Sequence, residues 1–446
     1  MIVNSALKKL ANYFPVPLYV VGGAVRDHIL GYKNADCDLA SQLTSDEVKA
    51  LLKGTEFHVA DASQKLGTLK IYFENESYEY TVFRVDSYAD NGNHSPESVK
   101  FVKEIALDAS RRDFTINAIY YDIKTGEYVD PTGGMEDLKK GVIRATREPE
   151  KVLQEDALRI LRMIRFSASY GYEIDKATYD VAVRLIDSLK GIAKERLHDE
   201  FEKIIRADTV HGVKDGHVRG LRLLMETGAM RYLIPELYDG VGFPQRADFH
   251  KYDVYGHIEK VYEVIAPHLR LVALFHDVTK PSQKLLTGRM AGHDKTGAVL
   301  ARKRMNDLRY SNKEIARACA LVEHHMYDFD CVASISKVRR FVQKHHEILD
   351  DLCALKFADS IGAGVFDSPN PSAIRILETY KQMREEGVPF SIKELKIDGN
   401  FLIETGVPNE MRGALMKELL ELTATDKNLL TKEAQEAFVK RRVAKI

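Results

Sequence analysis

The hydrophobic pattern of this 446-residue chain changes period near residue 150, and that change limits what the chain can fold into. Before it, short apolar runs alternate with turn-forming stretches. After it, apolar residues recur at three- and four-residue steps almost to the end. The first part therefore predicts strands with a few helices, the second part helices alone. Residues 18–21 read as a short strand ahead of Gly22-Gly23. Residues 69–73 and 78–83 are rich in β-formers, and the turn-like 74–77 between them makes a hairpin. Residues 99–102 suit another strand, 117–123 either helix or strand, and 130–134 a loop or hinge. A helix is expected over 152–170, stopped by Gly171, and another over 196–205. Charged helices continue from 372, with a Gly/Pro break at 387–389. The expected fold is an α+β head followed by an all-α body.

Composition narrows the setting. With 45% hydrophobic and 29% charged residues the chain is ordinary globular material, long enough for about two to four domains. No apolar run is long enough for a membrane span, and the N-terminal segment lacks a signal-peptide cleavage pattern. Cys37, Cys319, Cys331 and Cys353 show no CxxC spacing, which fits free thiols in a reducing cytoplasm. A net charge of −1 is not the footprint of a basic coat for nucleic acid. RNA binding would need local patches, for which Lys139, Lys140, Arg144 and Arg147 form one candidate run. Lys337, Arg339 and Arg340 form a second, and Lys440, Arg441 and Arg442 a third. Taken singly, each run is more often a solvated face.

The head carries the first chemical constellation. Val20-Val21-Gly22-Gly23-Ala24-Val25-Arg26-Asp27 is followed by Asp36-Cys37-Asp38. A strand, two glycines and a helix start suit a phosphate-binding turn, because glycine lets the backbone approach and a helix N-terminus favours an anion. Carboxylates at i and i+2 of a strand share one side and can hold hard divalent ions such as Mg²⁺. Ions held this way activate a 3′-hydroxyl and neutralise a leaving pyrophosphate. Alone, a Gly-Gly turn is usually a tight bend, and Asp-x-Asp usually a loop or cap. Glu79, on the second strand of the hairpin, is a third candidate carboxylate; the alternative is a strand-surface acid.

Taken in this order, the segments resemble the polymerase-beta-like nucleotidyltransferases, and more narrowly the class II tRNA nucleotidyltransferases and bacterial poly(A) polymerases. Three further segments carry the likeness: Asp108-Ala109-Ser110-Arg111-Arg112-Asp113-Phe114-Thr115-Ile116-Asn117-Ala118, Asp130-Pro131-Thr132-Gly133-Gly134-Met135-Glu136-Asp137-Leu138, and Glu155-Asp156-Ala157-Leu158-Arg159-Ile160-Leu161-Arg162-Met163-Ile164-Arg165. The resemblance spans roughly residues 17–230. It implies a polymerase-beta-like head in which Asp36 and Asp38 hold Mg²⁺, Gly22, Gly23, Arg26, Arg111 and Asp113 bind sugar and phosphates, and Asp156 and Arg159 read the base.

That last role has a physical basis. The exocyclic amino groups of C and A donate, and a carboxylate accepts; the adjacent ring nitrogen accepts, and arginine donates. U and G reverse both roles and leave polar groups unpaired. Arg162 and Arg165 follow Arg159 at three-residue steps and would support phosphates or the stack. A plain surface ion-pair ladder is the alternative. The polar loop 84–96 matches the family loop that matters for switching from C to A. Residues 195–201 read as a structural brace, with i,i+4 contacts such as Arg196 to Glu200.

The body carries the second constellation. His-Asp occurs at His198-Asp199, His276-Asp277 and His293-Asp294. The second pair follows an apolar run, lies nineteen residues after His257, and precedes Asp359. The order resembles the all-α HD phosphohydrolase superfamily. The resemblance implies a divalent or transition metal on His257, His276, Asp277 and Asp359, with His293 and His324 allowing a second ion. A degenerate HD fold kept for RNA binding is the alternative.

The expected organisation is a head over 1–146, a helical neck over 147–240, an HD-type metal domain over 241–365 and a helical, tRNA-binding tail over 366–446. The expected function is CCA addition to the 3′ end of tRNA from CTP and ATP, with a metal-dependent phosphohydrolase in the same chain. The alternatives are a poly(A) polymerase, a CC-only or A-only enzyme, and an HD phosphohydrolase with a vestigial head.

Overall fold

The computed structural model describes residues 3–33, 37–63, 65–87, 98–365 and 370–444. The chain divides into two compact units, residues 1–235 and 236–446. The first unit opens with nine strands: β1 (Tyr19–Val21), β2 (Asp38–Ser41), β3 (His58–Ser63), β4 (Thr68–Phe73), β5 (Glu76–Val82), β6 (Arg84–Ser87), β7 (Ser98–Phe101), β8 (Tyr120–Asp122) and β9 (Tyr128–Val129). Seven form one sheet in the order β3-β4-β5-β2-β1-β8-β9, and β6 pairs with β7 apart from it. All neighbours are antiparallel except β2 and β5.

Alternation explains which faces are buried. Tyr78, Tyr80 and Val82 of β5 point inward and are buried, while Glu79 between them is exposed. The hairpin expected over 69–83 forms with Glu74 at its turn in a left-handed conformation (φ 51°). The ambiguous stretch 117–123 resolves into a 3₁₀ turn (Thr115–Asn117) and β8.

The helix expected over 152–170 is two helices. Pro149–Glu155 ends at Asp156, whose backbone is extended (φ −148°, ψ 103°), and Leu158–Tyr170 begins beyond it. The Asp156 carboxylate accepts from Leu158 N at 3.0 Å, so the side chain competes with the helix for its own backbone. Gly171 stops the second helix in a left-handed conformation, as expected.

The second unit is helical throughout. Asp253 caps the Val254–Val264 helix, and Ser311 with Glu314 forms a capping box on Asn312–His324. The tail has its own small core of Leu395, Leu402, Val407, Leu419 and Val439. No helix among the described residues is long and apolar enough to cross a membrane.

Candidate active site and metal centre

The cleft of the first unit is built by β1, β2 and the Gly23–Ile29, Leu158–Tyr170 and Lys194–Ile205 helices, and encloses about 610 Å³. Gly22 caps the Gly23–Ile29 helix at φ 80°, ψ −137°. A Cβ there would sit 3.7 Å from Asp38 Oδ2 and 3.8 Å from Arg112 Nη1, which is ordinary contact. Backbone conformation, not space, is what demands glycine.

Asp38 starts β2, pairs with Val21 and lies opposite Glu79 in the β2–β5 register. Adjacent residues on parallel strands share a face, so the sheet brings Glu79 beside Asp38. Asp36 lies outside the described residues, as does the 88–97 part of the loop that β6 and β7 carry.

The cleft's lining includes seven arginines (26, 111, 112, 159, 162, 165 and 196) and three aspartates (38, 113 and 156), an excess of four positive charges among the described residues. That is the charge complement of a polyanion such as a triphosphate. Carboxylates place most of these cations. Arg26 Nε lies 2.9 Å from Asp27 Oδ1, and its Nη1 donates to Asn117. Asp108 is 0% exposed; it accepts from Arg111 Nε at 2.8 Å, Arg112 Nη2 at 3.2 Å and the Tyr120 hydroxyl at 2.6 Å.

Asp113 accepts from Arg162 Nε at 2.7 Å and from Asn117 Nδ2 at 3.0 Å. Burial alone would raise the Asp113 carboxyl; Arg162, with Asn117, overrides it and holds the group well below the usual carboxylate range. Asp113, expected at the nucleotide, lines the cleft and also anchors Arg162 there. Arg159 donates to Val152 O, Glu155 and the Arg111 carbonyl at 2.9, 3.1 and 2.8 Å, which ties the Leu158–Tyr170 helix to the Arg-Arg-Asp segment.

Three polar cleft residues, and the aromatic Phe166, were not among the sequence candidates. Arg112 and Asn117 lie inside or just after the Arg-Arg-Asp segment and were legible there. Arg196, read as a brace, instead reaches Asp156 Oδ2 at 2.7 Å, forty residues away. Glu200, expected to face Arg196, pairs with Arg165 Nε at 3.1 Å. No local spacing announces either pairing.

The second unit gathers a buried cluster. His257 Nε2 lies 2.9 Å from Asp359 Oδ1, 3.2 Å from Asp277 Oδ2 and 3.1 Å from His276 Nε2. His276 Nδ1 is 2.7 Å from the Ala273 carbonyl, which places its proton there and turns the Nε2 lone pair inward. His293 and His325 repeat the device with the Met290 and Val322 carbonyls, at 3.0 and 2.7 Å. Their Nε2 atoms lie 3.0 and 3.6 Å from Asp277 Oδ1. Asp277 thus stands between two groups, His257–His276–Asp277–Asp359 and Asp277–His293–His325, in each of which the ligand atoms lie within 4.8 Å of one another.

Imidazole nitrogens and carboxylate oxygens converging from several helices suit a divalent or transition ion. The inward Nε2 atoms face carboxylate oxygens, an arrangement that either a bound cation or a proton on the imidazole satisfies. Burial disfavours a charged His276, yet Asp277 and Asp359 outweigh it and push the imidazole up to about 10. Lys280 Nζ adds a positive charge 2.5 Å from Asp277 Oδ2. The cavity beside this cluster, about 480 Å³, is lined by Arg246, Phe249, His250, Lys280 and Phe329 among others.

His324, expected as a ligand, belongs to neither group. It packs edge-on against Phe341 at 5.5 Å and lies 4.2 Å from the His345 ring, between centroids. One residue along a helix turns the side chain by about 100°, so His325 faces the cluster and His324 faces away.

Comparison with known proteins gives matches in both units. Residues 18–144 match the poly A polymerase head domain, 171–239 the probable RNA and SrmB-binding site of polymerase A, and 252–364 the HD domain. An A-adding tRNA nucleotidyltransferase of Deinococcus radiodurans is 31% identical over 364 residues, covering 78% of this chain and 76% of that protein. The chain belongs to the tRNA nucleotidyltransferase family. Other family members match about half of the chain at higher identity. The CCA-adding enzyme of Leuconostoc mesenteroides is 40% identical over 216 residues, 48% of this chain and 50% of its own length. That of Geobacillus stearothermophilus is 38% identical over 216 residues, again half of its length.

The chain thus spans about half the length of these curated relatives. Among solved family structures, the Bacillus stearothermophilus CCA-adding enzyme in complex with CTP resembles 98% of this chain and 97% of its own, with TM-score 0.66 and 22% identity. The Thermotoga maritima CCA-adding enzyme complexed with tRNA_CCA reaches TM-score 0.57 at 18% identity, covering 99% of this chain and 96% of that one. At these identities the likeness is one of fold.

Proposed function

We propose that the chain adds C, C and A to the 3′ end of tRNA from CTP and ATP, without a nucleic-acid template, releasing pyrophosphate. The observation that carries this reading is the single cleft in which a glycine turn, Asp38, the Arg-Arg-Asp segment and the Asp156–Arg159 reader converge. Arg26, Arg111 and Arg112 bind the triphosphate, and Arg162 and Arg165 extend that positive wall. Asp36 and Asp38 would hold Mg²⁺, with Glu79 beside them; the ion supplies charge neutralisation at the reacting phosphate.

Asp156 accepts from the amino group of C or A. Its oxygens already serve Leu158 N and Arg196, and each carboxylate oxygen has a second lone pair. Arg159 has five N–H donors, of which its protein bonds take three. Arg196, bound to Asp156, orients the reading carboxylate. Incubating the protein with tRNA lacking CCA and with each nucleoside triphosphate tests the reading. Incorporation of C then A supports it; repeated A without C overturns it in favour of a poly(A) polymerase.

One observation favours a second reading. A relative that aligns over 78% of this chain is named an A-adding tRNA nucleotidyltransferase. An A-only enzyme extends a tRNA ending in CC and leaves a tRNA lacking all three residues untouched, so the two substrates separate the readings.

We further propose that His257, His276, Asp277 and Asp359 hold a divalent or transition ion for phosphate-ester hydrolysis, with His293 and His325 completing a second position on Asp277. The ion lowers the pKa of a bound water, while Arg246 and Lys280 offer cations to the phosphate. Metal analysis of wild type and His276→Ala, with hydrolysis of a generic phosphodiester, checks this. Equal metal content in both proteins overturns it.

A further inference from the structure

We propose that Phe166 is a positioning residue for phosphate recognition, its ring gathering Arg26, Arg162 and Arg165 into one cationic wall of the head cleft. The inference rests on the nucleotidyl-transfer reading above. The three guanidinium carbons lie 5.1, 5.3 and 4.4 Å from the centre of the Phe166 ring. They arrive from two helices, Arg26 from Gly23–Ile29 and the others from Leu158–Tyr170. Phe166 is 6% exposed and lines the cleft. Behind it, Phe114 packs edge to face at 5.9 Å and 82°, and is itself 0% exposed. The ring therefore has little freedom to turn.

Three like charges around one point repel. Each arginine has a separate carboxylate partner: Asp27 for Arg26, Asp113 for Arg162 and Glu200 for Arg165. Those partners are three different carboxylates on different parts of the chain. The ring is the element that all three guanidiniums share, and its negative faces attract cations. It thus keeps the wall assembled before any ligand arrives, at positions a triphosphate can bridge. A leucine would fill much of the same space but would supply no attraction, and the guanidiniums would relax toward their own carboxylates.

The simpler role for an aromatic side chain at a nucleotide cleft is stacking on the base. The two roles differ in what they predict. Stacking depends on the base; gathering of arginines acts on the phosphates and is indifferent to it.

The test uses the full-length protein and its Phe166→Leu, Phe166→Met and Phe166→Tyr variants, each checked for folding by thermal midpoint. KM and kcat are measured for CTP and for ATP, and inorganic tripolyphosphate serves as a base-free competitor. The expected result for Leu and Met is a KM raised by one common factor for both nucleotides, on the order of tenfold. Tripolyphosphate inhibition weakens by that same factor, and C and A remain preferred over U and G. Tyr, which keeps the ring, stays within about threefold of wild type. Met covers the case in which Leu is too small to fold well. Unchanged tripolyphosphate inhibition in a folded Leu or Met variant overturns the proposal, as does a loss confined to one nucleotide. A wild-type protein that incorporates no nucleotide overturns the underlying reading instead.

Discussion

At the scale of single residues, the head cleft separates groups that act on a ligand from groups that hold others in place. Asp38 belongs to the first kind. Asp38→Ala removes a carboxylate from the ion-binding pair and is expected to cut nucleotide incorporation by at least about 10³-fold, with thermal stability nearly unchanged. Rates measured beside melting curves check this. On the proposed reading, Asp156 sets selectivity. Asparagine there offers an amide that can donate as well as accept, so Asp156→Asn should narrow the preference for C over U by on the order of 10–100-fold. Incorporation of UTP by the variant is the readout, and an unchanged preference would refute the assignment.

Gly22 is set by conformation, since its φ of 80° disfavours any other residue. Gly22→Ala is expected to cost about 1–2 kcal/mol, visible as a lowered unfolding midpoint in urea, and to raise nucleotide KM. Much of this scale is legible in the linear order of residues. The Gly-Gly turn and the Arg-Arg-Asp segment are contiguous, so their chemistry shows locally. The Arg196–Asp156 pair does not, because the chain between its members must fold first. His324 and His325 are adjacent in the sequence, and only the helix phase tells which one faces Asp277.

At the scale of elements, the break at Asp156 is the instructive departure from the sequence pattern. The hydrophobic period runs through it uninterrupted, which is why one helix is expected over 152–170. The carboxylate's bond to Leu158 N and its pull on Arg196 override that period. At that junction Asp156 lines the cleft instead of lying along a helix face, which suits the base-reading role proposed for it. A second element carries a pH response. Burial, reinforced by the neighbouring His324, pushes the His345 imidazole down to about 4, and His324 itself is lowered chiefly by burial. Both are therefore neutral in the fold and charged more readily once unfolded. The stability they support is present above the ordinary histidine value of 6.5 and is lost as pH falls toward 4. Urea midpoints measured between pH 7 and pH 4.5 should fall, and the fall should shrink in His345→Phe, which keeps the contact with Phe341 without a titrating group.

At the scale of the whole molecule, two candidate sites sit in two compact units. The switch of hydrophobic period near residue 150 already separates sheet from helix, but the compact units divide at 235, because the helices after 150 pack first with the head. The Leu158–Tyr170 and Lys194–Ile205 helices contribute to the head's cleft, a long-range fact that no local window contains. Separate sites predict separable losses. His276→Ala should lose the metal of the second unit and any phosphodiester hydrolysis while adding nucleotides at a rate within about twofold of wild type, since no residue of the head cleft is touched. Metal content and incorporation measured on the same preparation decide it.

The central claim is that one cleft extends tRNA ends with C and A and refuses U and G without a template. The most direct measurement is sequencing of the 3′ ends of a tRNA lacking CCA after incubation with the protein, Mg²⁺ and all four nucleoside triphosphates. The account predicts ends completed as CCA, with U and G absent and no further extension. Unextended ends, runs of A, or incorporation of U and G at rates similar to C would contradict it.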